Sequence, residues 1–313
     1  MEMNLKNLFY LMLLTIMLPG IARSQSNTQY TNFGQFVQDP NVGARNAGLA
    51  NANIAEYHDI TSMYENPATI AFLGSPSIVF NHLQGSVRQT QENLAFPILY
   101  GQNQMLAFSA QVFNFGELVQ SNTRGWRFGM EYDLAYAHKV TSTLSLGGLA
   151  AFQRGVVSGY NQVTAASYDI GLDYVPSGGF SYGLTFSNLG TGVNFPNGET
   201  LAVQTALPRT IGIGATMRFP STESILNPFL IISMATEKTF NPAQNFYRGA
   251  IEYIPVSFLS LRFGYVAGAG YNEPTFGIGL HTFPVALDVA LYEVREVGST
   301  QPILQVSLST ELW

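Results

Sequence analysis

From residue 75 onward the chain alternates apolar and polar side chains in stretches of about 8 to 14 residues, with Gly, Pro, Asn and Ser between them. The clearest stretch is 127–140. Phe128, Met130, Tyr132, Leu134 and Tyr136 share one parity, and Arg127, Gly129, Glu131, Asp133 and Lys139 share the other. Successive side chains of a strand point to opposite faces, so a period of two predicts a strand with one apolar and one polar surface. Tyr168, Ile170, Leu172 and Tyr174 alternate in this way with Asp169, Gly171 and Asp173. Ile211, Ile213, Ala215, Met217 and Phe219 do so with Gly212, Gly214, Thr216 and Arg218, and Leu259, Leu261, Phe263 and Tyr265 with Ser260, Arg262 and Gly264.

Fourteen strands are expected, at 76–84, 87–99, 104–118, 127–140, 144–157, 164–175, 180–189, 209–219, 225–237, 246–255, 258–267, 274–281, 284–294 and 303–312. An even number suits a single-chain bacterial barrel. The run 225–234 is apolar on both faces, so a count different by two stays open. Gly178-Gly179 and Ser257 read as tight turns, and 188–208 and 267–273 as longer loops. Periodicity does not by itself separate a soluble β-sandwich from a membrane barrel. Length does more, because a tilted strand crosses a bilayer in about 9 to 11 residues.

Composition then points the same way. Charged residues are 11% of the 313 positions and aromatics 13%, with 22 Phe and 16 Tyr. That is less than half the charge usual in a soluble domain, so the apolar surface needs a partner other than water. Beyond the first two dozen residues no apolar run of about 20 exists to form a spanning helix. A closed barrel satisfies every backbone group without one. The expected fold is therefore an all-β, transmembrane, antiparallel β-barrel of about 14 strands.

Residues 1–24 read as a cleaved signal peptide: Lys6, then the apolar run 8–18, then Pro19, Gly20 and Ala22-Arg23-Ser24. Residues 25–74 lack strand alternation, and 42–50 are built of small residues, as a segment packed against other backbone would be. Positions 52–57 read as a short strand or turn, and 61–65 as a helical turn ended by Asn66-Pro67. The expected organisation is a signal peptide (1–24), an N-terminal plug or hatch (25–74) and a barrel (75–313), exported to a bacterial outer membrane and surrounded by its lipid.

Gly43-Ala44-Arg45-Asn46-Ala47-Gly48-Leu49-Ala50-Asn51-Ala52, followed by Asp59 and Asn66-Pro67-Ala68, resembles the start of the PorV/PorQ family, part of the wider FadL-like group of outer-membrane barrels. The plug motif on this reading is Ala44, Arg45, Gly48, Asp59, Asn66, Pro67 and Ala68. Positions 207–219 and 261–280 also resemble family strands. The chain departs from the family pattern in having Ala50-Asn51 for Gly-Gly, Glu65 for an aromatic, and Thr69 for Gly. The resemblance implies fourteen strands, an N-terminal hatch, and partnership with type IX secretion components and secreted cargo in export and surface attachment. The wider group implies instead a transporter of hydrophobic compounds, with an apolar pocket beside the plug formed by Phe33, Phe36, Met63, Tyr64 and Phe72. A soluble all-β binding module is the third reading. The chain closes on a strand ending in Trp313, similar to the signal that barrel-insertion machinery reads, although Trp313 falls on the polar parity.

Catalytic chemistry is not expected. The chain has no cysteine, and His58, His82, His138 and His281 lack metal-ligand spacing. There is no nucleophile elbow or phosphate-cradling glycine loop, so no cofactor or metal is expected. A net charge of −6 without a basic aromatic patch argues against nucleic acid. The charges of the inward parity are Glu131, Asp133, Lys139, Asp169, Asp173, Arg218, Arg248, Glu252, Arg262 and Asp288. They are nearly balanced, which predicts ion pairs that hold a plug, one of them with Arg45, and not a strongly selective ion channel.

Overall fold

The computed structural model describes residues 42–312 apart from 86–88, 121–122, 158–159, 177, 195–206, 221–228, 241–242, 269–270 and 297–298. The expected signal peptide, Phe33, Phe36 and Trp313 lie outside the described residues.

Fourteen antiparallel strands form one closed barrel. They are β1 (Ser77–Gln84), β2 (Thr90–Gly101), β3 (Gln104–Gln120), β4 (Thr123–Lys139), β5 (Leu144–Val157), β6 (Tyr160–Tyr174) and β7 (Phe180–Asn194). The rest are β8 (Thr210–Phe219), β9 (Phe229–Thr239), β10 (Gln244–Val256), β11 (Leu259–Gly268), β12 (Tyr271–Thr282), β13 (Val285–Glu296) and β14 (Ser299–Glu311). Each strand pairs with its sequence neighbour, and β1 closes the ring against β14, from Ser77 opposite Glu311 to Gln84 opposite Leu304. Among the described residues every strand is paired on both sides, which is the condition for spanning lipid without helices.

Two expected loops are shorter than the pattern indicates. β7 runs on to Asn194, past the expected end at Leu189. Phe186 pairs with Ile170 and Leu189 with Tyr168, so Ser187 and Asn188 together oppose Asp169. This bulge shifts the alternation by one residue, and a phase shift in the sequence looks like a strand end. Asn188 takes the left-handed conformation that such a site demands (φ 59°). The 267–273 loop also contracts, because β11 reaches Gly268 and β12 begins at Tyr271. Pro274 was expected to open β12; it sits inside the strand, opposite Tyr265.

The apolar parity faces outward. On β4, Tyr132, Leu134 and Tyr136 are exposed while Glu131, Asp133, Ala135 and Ala137 between them are buried. Phe263, Phe276, Leu291, Leu304 and Leu308 continue the exposed apolar surface around the cylinder. A soluble module would not carry such a belt, which removes that reading. Placing a cation in the belt makes a direct test. Leu134→Arg, near the middle of β4, should cost about 2–4 kcal/mol of folding free energy in lipid vesicles, read by chemical denaturation.

The inward parity carries small residues where the chain before β1 comes in. This segment contains one turn of helix, α1 (Ala44–Gly48), and two 3-10 turns, Ile60–Tyr64 and Pro67–Phe72. Positions 52–57 form turns and no strand. The segment contacts strands on opposite sides of the ring: α1 packs on β11 to β14, and the second 3-10 turn on β3 to β6. Residues 42–73 therefore lie inside the barrel. Ile60, Met63 and Ile70 pack against Val79, Ala95, Met105, Ala107, Ala135 and Ala137 of β1 to β4, and Leu149 of β5 joins the same cluster. Alanine on the wall leaves the width that the larger side chains of the segment fill.

Candidate functional site

Several inward glycines bring the wall into contact with the segment's backbone. A Cβ on Gly147 of β5 would lie 2.5 Å from the Ala68 amide nitrogen and from the Pro67 carbonyl carbon. On Gly264 of β11 it would lie 2.6 Å from the Ala50 nitrogen, and on Gly277 of β12 it would lie 3.2 Å from the Cα of Gly48. A Cβ on Gly183 of β7 would collide with the Ile54 carbonyl. Glycine is required at these points because backbone meets backbone.

Polar side chains of the segment then fix it. Asn66 caps the second 3-10 turn by accepting from the Ala68 N–H at 3.1 Å. Its Nδ2 donates to the Ile54 carbonyl at 2.8 Å and to the Leu172 carbonyl of β6 at 3.0 Å, tying two parts of the segment to the wall. Pro67 follows at the first position of the turn, where its missing N–H costs nothing. Asp59 caps the first 3-10 turn, accepting from the Thr61 N–H at 2.7 Å. Asn46 donates to the Val42 carbonyl at 2.9 Å and accepts from Asn53 at 2.6 Å. The Ala44 N–H donates to Ser307 Oγ of β14 at 2.6 Å, and Thr275 Oγ1 of β12 donates to the Gly48 carbonyl at 3.0 Å. Ala50 and Asn51 both adopt left-handed backbone (φ 51° and 53°). This gives a physical meaning to the Gly-Gly of the resembled family at these positions, since left-handed backbone favours glycine.

A chain of alternating charges runs across the lumen through Arg45. Its Nη2 lies 2.5 Å from Glu252 Oε2 on β10 and 3.3 Å from Glu56 Oε1. Glu56 Oε2 takes Arg218 of β8 at 2.6 Å. Glu252 Oε1 takes Arg262 Nε of β11 at 2.7 Å, and Arg262 Nη1 reaches Asp288 of β13 at 2.5 Å. The order Arg218, Glu56, Arg45, Glu252, Arg262, Asp288 alternates in sign and leaves no member uncompensated, as buried charges require. Arg45 itself is 2% exposed and Glu252 1%. The expected pairing of Arg45 with a wall carboxylate is thus present, with Glu252. The acidic partner within the segment is Glu56, which motif matching passed over in favour of Asp59. Its signal was an acidic residue in the short small-residue stretch after the motif, one that neither the strand pattern nor the motif explained.

The other expected lumen charges lie apart from this chain. Arg248 pairs with Glu237 at 3.0 Å. Lys139 sits over the Phe72 ring, 5.1 Å from its centroid, and donates to the Gln102 carbonyl. Asp169 accepts the Asn188 N–H at 2.7 Å inside the β6–β7 bulge. Asp173 is fully buried on β6 opposite Gly183 of β7, while Glu131 and Asp133 lie in a separate polar group on β4. The expected apolar pocket is not assembled as a set. Met63 is fully buried in the hydrophobic cluster. Tyr64 packs on that cluster but turns its hydroxyl to polar partners, accepting from Asn93 at 2.9 Å and donating to Asp133 at 3.2 Å, as a buried phenol must. Phe72 faces Tyr57, with ring centroids 5.6 Å apart.

No family model matches the chain, and no curated protein matches it by sequence. Solved structures do match its fold. It is similar to CymD, a monoaromatic hydrocarbon channel, with TM-score 0.63 and 10% identity over 86% of this chain and 97% of that one. It is similar to a FadL homologue of Pseudomonas aeruginosa, with TM-score 0.56 and 11% identity over 87% and 98%. It is also similar to the toluene transporter TodX of Pseudomonas putida, with TM-score 0.54 and 11% identity over 84% and 96%. At these identities the likeness carries the architecture: a fourteen-stranded transmembrane barrel of the kind found in hydrocarbon channels.

Proposed function

We propose that this barrel lies in a bacterial outer membrane and passes small hydrophobic molecules. The observation that carries the reading is a filled lumen combined with a stretch of wall whose pairing is interrupted twice, where β2–β3, β3–β4, β5–β6 and β10–β11 are each interrupted once. Residues 42–73 are held across the interior by the charge chain and the glycine contacts, which disfavours a wide aqueous pore. Between β6 and β7 the ladder shifts register twice, at Ala166/Ser167 and at Tyr168/Ile170. Tyr168, Ile170 and Phe186 stand exposed on the outer side of this stretch, where a hydrophobic molecule would meet the wall from the lipid. The names of the structural neighbours, two of them a hydrocarbon channel and a toluene transporter, support the same class of substrate. The test is uptake of a labelled monoaromatic hydrocarbon by cells expressing the barrel, beside sugar-driven swelling of vesicles that contain it. Faster hydrocarbon uptake without swelling is expected; free passage of sugars, or no change in hydrocarbon uptake, would refute the reading.

A second reading, a non-enzymatic partner in type IX secretion and surface attachment of cargo, draws on the PorV/PorQ resemblance. What favours it is that Ala44, Arg45, Gly48, Asn66, Pro67 and Ala68 act together in seating one interior segment. Co-purification with translocon components or cargo is its expected result, and intact cargo secretion after deletion of the gene would sink it.

A further inference from the structure

The interior segment carries a single histidine, His58, two residues beyond Glu56 of the charge chain. Its ring lies beside a histidine of the wall: the centroids of His58 and His281 of β12 are 6.0 Å apart. His281 stands at the end of the charge chain, with its Nε2 3.2 Å from Asp288 Oδ1 and 3.5 Å from Arg262 Nη2. Among the described residues His82 and His281 each lie against a carboxylate, Glu92 at 2.7 Å and Asp288 at 3.2 Å, and His58 does not. The acid next to it in sequence, Asp59, is engaged elsewhere, accepting from both the N–H and the hydroxyl of Thr61.

A proton on the seated His58 would join a crowded set of charges. Around it are Arg45, Glu56 and Asp59 of the segment, Glu252 of β10, Arg262 of β11, His281 of β12 and Asp288 of β13. The wall carboxylates are already shared, Glu252 between Arg45 and Arg262, and Asp288 between Arg262 and His281. Enclosure by the wall, and then the Arg45 guanidinium, hold His58 well below the ordinary histidine range, although part of its ring stays open to water. A segment that has left its seat carries His58 into water, where a histidine takes up a proton near a pH of about 6.5. Above that pH both states are neutral at His58 and seating is complete. Below it the released state gains a proton that the seated state resists, so seating weakens by about tenfold for each pH unit.

We propose that His58 makes the interior segment proton-sensitive: acid charges the histidine that lies beside His281 and Arg262, and the segment loosens from the wall. Histidine suits such a device because its charge changes in the range of pH that a cell surface meets. The device is independent of whether the barrel passes hydrocarbons. The test is single-channel recording of the full-length folded barrel in a planar bilayer, with both chambers stepped from about pH 7.5 to about pH 5.5. Openings are expected to become about tenfold more frequent. In His58→Gln, which keeps a neutral polar side chain, the rise should shrink to less than about twofold. His82→Gln, which removes the pair with Glu92, should respond as the parent does. Heat-modifiable gel migration reports folding of each variant, and His58→Asn decides if His58→Gln does not fold. No rise in the parent on acidification, or a rise of equal size in the His58 variant, would overturn the proposal.

Discussion

Replacing Arg45 with methionine will loosen the interior segment while leaving the barrel closed. Methionine keeps much of the side-chain volume but removes the cation between Glu56 and Glu252. Glu56 then retains only Arg218, and Glu252 only Arg262. Removing one partner of a buried pair costs about 3–5 kcal/mol, most of it from the charge left behind. The cost falls on docking of the segment, because strand pairing from β1 to β14 does not involve Arg45. Two measurements follow: faster protease cleavage within 42–73 in the folded barrel, and new single-channel conductance in a planar bilayer. Arg45→Lys should recover only part of the loss, since a lysine cannot direct a fork of donors at two carboxylates. An Arg45→Met barrel that remains as resistant and as silent as the parent would remove the charge chain from the account.

The second large effect is expected at Gly147. Valine there places a Cβ 2.5 Å from the backbone of Pro67 and Ala68, where no side chain can move aside. Either the segment lifts from β5 or the strand bends. Overpacking of this kind costs about 1–3 kcal/mol where side chains can yield, and backbone yields less. Gly249→Ala is the control, because nothing lies within 4 Å of the added carbon. It should change stability by less than about 0.5 kcal/mol. Lost protection of 42–73 in Gly147→Val together with an unaltered Gly249→Ala barrel is the expected pattern, read by hydrogen exchange.

The cylinder was legible because lipid and lumen impose opposite requirements on successive residues, and β4 shows the alternation without interruption from Phe128 to Tyr136. It failed to read at Ser187-Asn188, where one extra residue shifts the phase and the pattern breaks although the strand continues. The interior segment was harder. Its small residues indicated close packing, but periodicity cannot say which backbone each one meets. Gly264 reads from the pattern only as a polar-face residue, and nothing local marks Gly147 and Gly183 for contact with Pro67 and Ile54, or Gly264 for contact with Ala50. Arg45 stood out because it is a charge among small residues, and a wall carboxylate was its natural partner. That the partner is Glu252, and that Glu56 completes the bridge to Arg218, depends on contacts between residues up to 207 positions apart, which no local pattern encodes.

The seam between β1 and β14 also sets the interior segment beside the last strand of the ring. The segment that ends inside the ring precedes β1, while the strand that completes the ring is β14, which pairs with β1 from Ser77 to Gln84. Inside the closed cylinder Gly147 and Gly264 lie against the backbone of the segment, with no room for a side chain between them. The ring closes only when β14 pairs with β1, so the first strand after the interior segment is also the one that receives the last strand. Alanines and glycines on the concave face act as a mould, repeating in the wall the outline of the chain that lies against it.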